Sequence, residues 1–178
     1  MRLFRFLPLA LLLAGGAVSA QEYGAARGYG AAWNGAADEL PVADHVVVDK
    51  TARTLALYAG GALLHTIGGI QLGDAPVGHK RFEGDERTPE GRYVIDYGNP
   101  QSAYTLSLHI SYPNDADRAF ARARGRSPGG AIFIHGQPTG REGRMDGDWT
   151  DGCIAVSNAE MELLWRMVPD GTPIDILP

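Results

Sequence analysis

A chain with a single cysteine can do thiol chemistry at one place, and here that place is Cys153. A thiolate attacks acyl carbons readily, but it needs a base within hydrogen-bond reach, or an imidazolium that lowers its pKa. Free cysteine is also among the most buried residue types, so the residue alone leaves a structural reading open. Its neighbours favour chemistry. Thr150-Asp151-Gly152 ahead of it is a turn sequence, and Ile154 to Val156 behind it is a short strand. A nucleophile at such a junction is presented rigidly at a sheet end. Gly152 allows close approach of a substrate, with a backbone N–H aimed at an oxyanion.

The partner would be His135. It ends the apolar run Ala131–Ile134 and precedes Gly136, so it too sits at a strand terminus facing a loop. The segment between His135 and Cys153 is long enough to bring both strand ends to one edge. If the two side chains meet, the thiolate is expected to persist below the ~8.5 of a free cysteine. The other histidines are weaker candidates. His45 opens a strand at the surface and His65 lies inside one. His79 and His109 are each placed either to line a pocket or to serve as ordinary structural histidines.

These residues need a scaffold of strands. HVVVD, RTLALY and ALLHTIGGI are short β-branched or alternating runs, and Ala59-Gly60-Gly61 between the last two is a hairpin signal. RYVID, YTLSLHI, AIFIH, CIAV and PIDIL read as further strands, with AIFIH apolar enough to be central and buried on both faces. A long polar loop, QLGDAPVGHKRFEGDERTPEG, separates the first group from the second; its acids Glu83, Asp85, Glu86 and Glu90 read as solvated. Asp115–Arg124 has helical composition, with acids first and arginines last. A second helix starts near Asn158, capped by Ser157 or Asn158, with Met161, Leu164, Trp165 and Val168 on one face. The expectation is a mainly β domain, a sandwich or barrel with one or two short helices.

Composition narrows the function. The chain has 178 residues, 16 Lys and Arg against 21 Asp and Glu, and a net charge of −5. No basic excess supports nucleic-acid binding. One cysteine excludes an internal disulfide and any cysteine-built metal site, and no metal or phosphate-loop motif is present, so no cofactor is expected. Arg2 and Arg5, the apolar run Phe6–Ala14 and small residues up to Ala20 read as a signal peptide over residues 1–20, cleaved before Gln21. The chain is therefore expected to be exported, with no integral membrane segment after cleavage, because the run is too short to span a bilayer. Residues 21–43, rich in Gly and Ala, read as a lead-in; packing of Tyr23, Tyr29 and Trp33 on the domain is the alternative. Arg118, Arg122, Arg124 and Arg126 read either as a solvated helix face or as a rim that meets carboxylates.

The order His135-Gly136, then Thr150, Gly152, Cys153, Ile154 and Asn158, resembles the signature of the L,D-transpeptidase (YkuD-type) catalytic domain. PVGHKRFEGDERTPEGRYVI is similar to the family's P-x-G…TPxGxY segment, and the resemblance runs over residues 44–178. WTDGCIAVSN and the YPN stretch look closest to the periplasmic murein transpeptidase branch, which includes enzymes acting on the lipoprotein–murein link. The resemblance implies that Cys153 attacks the amide at the L-centre of diaminopimelate in a peptidoglycan stem tetrapeptide, with His135 as base and acid. It implies a thioester passed to an amine, and an oxyanion bound near Gly152. Thr150, Asp151, Gly136, His109 and Asn158 are the candidate pocket residues, and the resemblance also suggests a murein-linked lipoprotein as a further partner. Hydrolysis of the same thioester, as an L,D-carboxypeptidase or L,D-endopeptidase, is the alternative; a murein-binding module without turnover is the third reading. One departure stands out: many members carry Arg two residues after the cysteine, where this chain has Ala155.

Overall fold

The computed structural model describes residues 40–178. The leader and most of the Gly/Ala-rich segment, with Tyr23, Tyr29 and Trp33, lie outside the described residues. Leu40 packs against the core and Ala43 is fully buried, its N–H donating to the Met167 carbonyl at 2.7 Å. Packed structure thus begins ahead of Asp44.

The strands are β1 (His45–Asp49), β2 (Thr54–Ala59), β3 (Ala62–Gly68), β4 (Gly91–Asn99), β5 (Ser107–Ile110), β6 (Ile132–His135), β7 (Ile154–Ala155) and β8 (Thr172–Leu177). They form one sheet in the order β3-β2-β1-β8-β4-β5-β6-β7, in which only β1–β8 and β6–β7 are parallel. Gly60 and Gly61 turn the β2–β3 hairpin at φ +55° and +79°, values that a two-residue hairpin requires and side chains resist. Burial alternates along β1, β2 and β8, so Val46, Val48, Leu55, Leu57, Ile174 and Ile176 face one core.

The sheet curls. Gln71 lies three residues past the end of β3, yet its N–H and carbonyl bond the backbone of Ala155 in β7, at 2.9 and 2.8 Å. Three residues reach about 10 Å at most, so the two outermost strands must approach each other. This closure sets the edge that carries Cys153, because β7 follows the cysteine turn. AIFIH is not central: β6 is next to last, and its burial comes from β7 at its side and α2 (Asn158–Met167) packed on β5 and β6. Ser157 caps α2, accepting from the Glu160 N–H while Glu160 accepts from the Ser157 N–H. Met161, Leu164 and Val168 are buried, and Trp165 covers Gly98, where an added Cβ would lie 2.6 Å from the indole. The other helix, α1 (Asp115–Arg122), is capped by Asn114 with Asp117 in a capping box. Among the described residues, no helix is long and apolar enough to cross a membrane.

Candidate active site

The β6–β7 register brings the two chemical residues together. His135 pairs with Ala155 and Ile134 with Ile154, so Cys153, one residue before β7, projects on the same face as His135. Both line a cavity of about 540 Å³. The turn that presents the thiol is locked. Thr150 Oγ1 accepts from the Gly152 N–H at 3.2 Å and donates to the Cys153 carbonyl at 2.8 Å. Gly152 sits at φ +120°, and a Cβ there would lie 2.5 Å from the Arg87 carbonyl oxygen. No other residue fits.

The His135 tautomer follows from its partner. Nδ1 lies 2.7 Å from the Gly136 carbonyl oxygen, which can only accept, so Nδ1 carries the hydrogen and Nε2 keeps a free lone pair. The ring is held further by Tyr104, whose centroid is 4.5 Å away, and by the edge of Trp149 at 5.5 Å. Burial lowers the His135 pKa, opposed by the Gly136 carbonyl. At Cys153, burial raises the thiol pKa and the Asp151 charge adds to it, against the Phe133 N–H and the Lys80 charge. Sγ accepts from the Phe133 N–H at 3.4 Å and lies 3.6 Å from the Ala131 carbonyl. No hydrogen bond joins Sγ to the imidazole among the described residues. The Sγ contacts are thus to the β6 side of the cavity, and the acidification expected from His135 has no direct hydrogen bond behind it. Burial works against the charged form of both groups.

Other expected residues are distributed as follows. Thr150 and Asp151 line the cavity. The Gly152 N–H is engaged by Thr150, which leaves the Cys153 N–H, without a partner among the described residues, as the open donor of this turn. Gly136 serves as the acceptor for His135 and lies tightly against Asn158, where a Cβ would be 2.6 Å from Oδ1. Asn158 is turned away from the cavity: Oδ1 accepts from the Gln137 N–H and the Thr105 hydroxyl. His109 also stays outside the cavity lining. It bonds Asp96 at 2.6 Å and stacks on Tyr97 at 4.6 Å, supporting Phe133 behind the wall. His79 is structural, accepting from the Glu90 N–H and donating to Asp117. Ala155 is fully buried, and none of the lysines and arginines among the described residues lines the cavity that holds Cys153 and His135. Arg144 pairs with Glu160 instead.

Three residues escaped the sequence reading. Tyr104 read as part of a strand, yet β5 begins only at Ser107 and the ring turns onto His135. Trp149 stands directly before the turn, and its Nε1 is buried without a partner among the described residues. Lys80 is 3% exposed, donates to Asp85 at 2.9 Å, and lines the adjoining cavity that shares Gly130, Ala131 and Asp151 with the Cys153 cavity. Aromatic type next to the cysteine motif was the only available signal for Trp149. Nothing local marked Lys80. Among the described residues, no group of three or more His, Cys, Asp or Glu could hold a metal ion.

Residues 43–176 match the family model for the L,D-transpeptidase catalytic domain. Among curated proteins none matches the chain. Two crystal structures of the helical cell shape determining protein Pgp2 from Campylobacter jejuni are similar at 30% and 31% identity, with TM-scores of 0.62 and 0.60. They cover 76% and 74% of this chain but only 47% and 46% of their own, so the chain spans about half the length of these relatives. Bd1075 from Bdellovibrio bacteriovorus is similar at 24% identity, with a TM-score of 0.52, over 78% of this chain and 51% of its own. An L,D-transpeptidase from Mycobacterium smegmatis shares the fold at 16% identity, with a TM-score of 0.50, over 76% of this chain and 59% of its own.

Proposed function

The chain belongs to the L,D-transpeptidase catalytic domain family, and from that premise we propose that it is a cysteine acyltransferase acting on peptidoglycan stem peptides in the periplasm. One observation carries the reading: Cys153 and His135 share a cavity in which the Gly136 carbonyl leaves the imidazole Nε2 free to accept a proton. In this reading Nε2 takes the Sγ–H proton as sulfur bonds the carbonyl carbon at the L-centre of diaminopimelate. The Cys153 N–H donates to the resulting oxyanion. Collapse breaks the C–N bond, the departing D-Ala amine takes the proton from Nε2, and a thioester remains. An acceptor amine then attacks the thioester, giving its proton to Nε2, and an amide forms as the thiolate leaves and is reprotonated. Burial, which disfavours both charged forms, suits a sequence in which the proton moves only when a carbonyl is in place.

A second reading, hydrolysis, is favoured by a specific feature. The catalytic cavity offers no lysine or arginine among the described residues, and its formal charge is the Asp151 carboxylate. A carboxylate-bearing acceptor gains no ion pair there, so water competes better. Incubating disaccharide-tetrapeptide with a labelled D-amino acid separates the readings. Exchange product means transfer, and tripeptide alone means L,D-carboxypeptidase. Release of a lipoprotein-derived lysine or arginine from murein, without exchange, means L,D-endopeptidase. No product of any kind would overturn the enzyme reading.

A further inference from the structure

From Arg118 to Arg126 the chain carries four arginines and no acid, in a protein whose acids outnumber its bases by 21 to 16. The fold adds Arg81 from the long loop and assembles these cations into a built surface. Phe120 of α1 is stacked between guanidiniums, with Arg124 at 3.5 Å and Arg81 at 4.4 Å from its centroid. Phe82 lies 5.9 Å from Phe120 and carries Arg126 at 3.9 Å. Stacking on a ring restrains a guanidinium while leaving its N–H edge free for an anion. Beside this array Arg118, Arg122 and Arg126 line a separate cavity of about 440 Å³. Of the five, only Arg118 pairs with a carboxylate among the described residues, that of Asp115. The Arg122 guanidinium has neither a hydrogen bond nor an ion pair among the described residues. Such a concentration of unpaired charge is costly for folding alone, because like charges repel.

Resting on the reading of the chain as a peptidoglycan enzyme, we infer that this arginine–phenylalanine surface binds stem-peptide carboxylates of the murein polymer, outside the catalytic cavity. Two observations select that partner. The surface is continuous with the catalytic edge: Pro128 lines the basic cavity and Gly130 and Ala131, two and three residues on, line the catalytic one. A polymer engaged at Cys153 therefore passes close to the arginines, and stems at repeated intervals present carboxylates to them. The surface also lacks what a bilayer would need. Phe82 and Phe120 are roofed by guanidiniums, and none of the exposed large apolar side chains belongs to α1 or the arginine segment. Guanidinium forks match carboxylates in two-pronged contacts.

The test is sedimentation of the protein with purified sacculi, using Cys153→Ala so that binding is read without turnover. Binding should weaken as salt rises. It should fall about threefold in Arg122→Gln and about tenfold in Arg122→Glu/Arg126→Glu, as loss of one or two charge-assisted contacts implies. Sacculi whose carboxyls have been amidated should bind no better than the double variant does. Arg122→Gln leaves every stacked ring untouched, so its effect is independent of any change in folding. Equal binding of all forms, undiminished binding to amidated sacculi, or arginine-dependent binding to anionic phospholipid vesicles but not to sacculi would each overturn the inference. Failure of turnover on tetrapeptide sinks the proposed function and leaves this binding result standing; salt-independent binding does the reverse.

Discussion

At Cys153 the local field and the chemistry point in different directions, and the difference is measurable. Burial and the Asp151 carboxylate push the thiol up, so its alkylation should reach half-maximal rate above the ~8.5 typical of free cysteine. Asp151→Asn should bring that midpoint down, because one negative charge disfavouring the thiolate is removed. A wild-type midpoint well below 8.5 would mean that a thiolate–imidazolium pair exists at rest. His135 must be neutral to accept a proton, and burial depresses its pKa. The acid limb of kcat/KM is therefore expected below the ~6.5 of an ordinary imidazole. Cys153→Ala should abolish turnover on disaccharide-tetrapeptide and leave the melting temperature within a few degrees of wild type; appreciable residual turnover would remove the proposed mechanism.

Short elements carry the site, and single residues determine their shape. β7 is two residues long, so the cysteine turn depends on Thr150 and Gly152 more than on strand pairing. Gly152→Ala combines a positive φ with a 2.5 Å approach to the Arg87 carbonyl. We expect a loss of about 3 kcal/mol in unfolding free energy, read by urea titration, together with loss of thiol alkylation selectivity. An unchanged midpoint would show that the turn is softer than its geometry implies. Ser157→Ala removes the cap of α2 and should cost about 1 kcal/mol. Its effect on turnover should be small, since the helix covers β5 and β6 from behind.

The whole domain records its buried charges in its pH dependence. At Asp85 burial pushes the pKa up, but hydrogen bonds from the Arg81, Phe82 and Arg87 N–H groups and from Lys80 outweigh it and hold the carboxyl low. At Asp148 burial is likewise outweighed, by the two-pronged bond from Arg53 at 2.5 and 2.6 Å and by the Leu72 N–H. Both folded pKa values lie below the unfolded ones, so their stabilisation is present above about pH 4 and is lost as pH falls further. His135 also has a folded pKa below its unfolded value. Its neutral form is favoured by folding, and that contribution is complete above about pH 6.5 and declines as pH falls through it. Thermal melting followed from pH 8 to 3 should thus show two stages of loss. His135→Gln should remove the first and keep the second; a first stage that survives the substitution would place its origin elsewhere.

The sequence by itself determined the thiol, the histidine, the turn between Thr150 and Cys153, the hairpin at Gly60-Gly61 and the capped helix at Ser157. Each of these is a local matter, decided by residue type and spacing within a few positions. The mainly β class was legible for the same reason, since alternation along β1, β2 and β8 is a property of consecutive residues. Tertiary structure alone decided the rest. Sheet order placed the last strand beside the first and moved β6 from the expected centre to the penultimate position, because pairing between distant strands leaves no mark in either strand. Burial pushes the Cys153 thiol up, against the expected acidification, and burial depends on what the whole chain covers. Lys80 and Arg81 reached their places through the long loop, and Tyr104 through the β4–β5 connection, segments with no period from which a fold can be read; α1 was legible as a helix, but the rings on which its arginines stack were not.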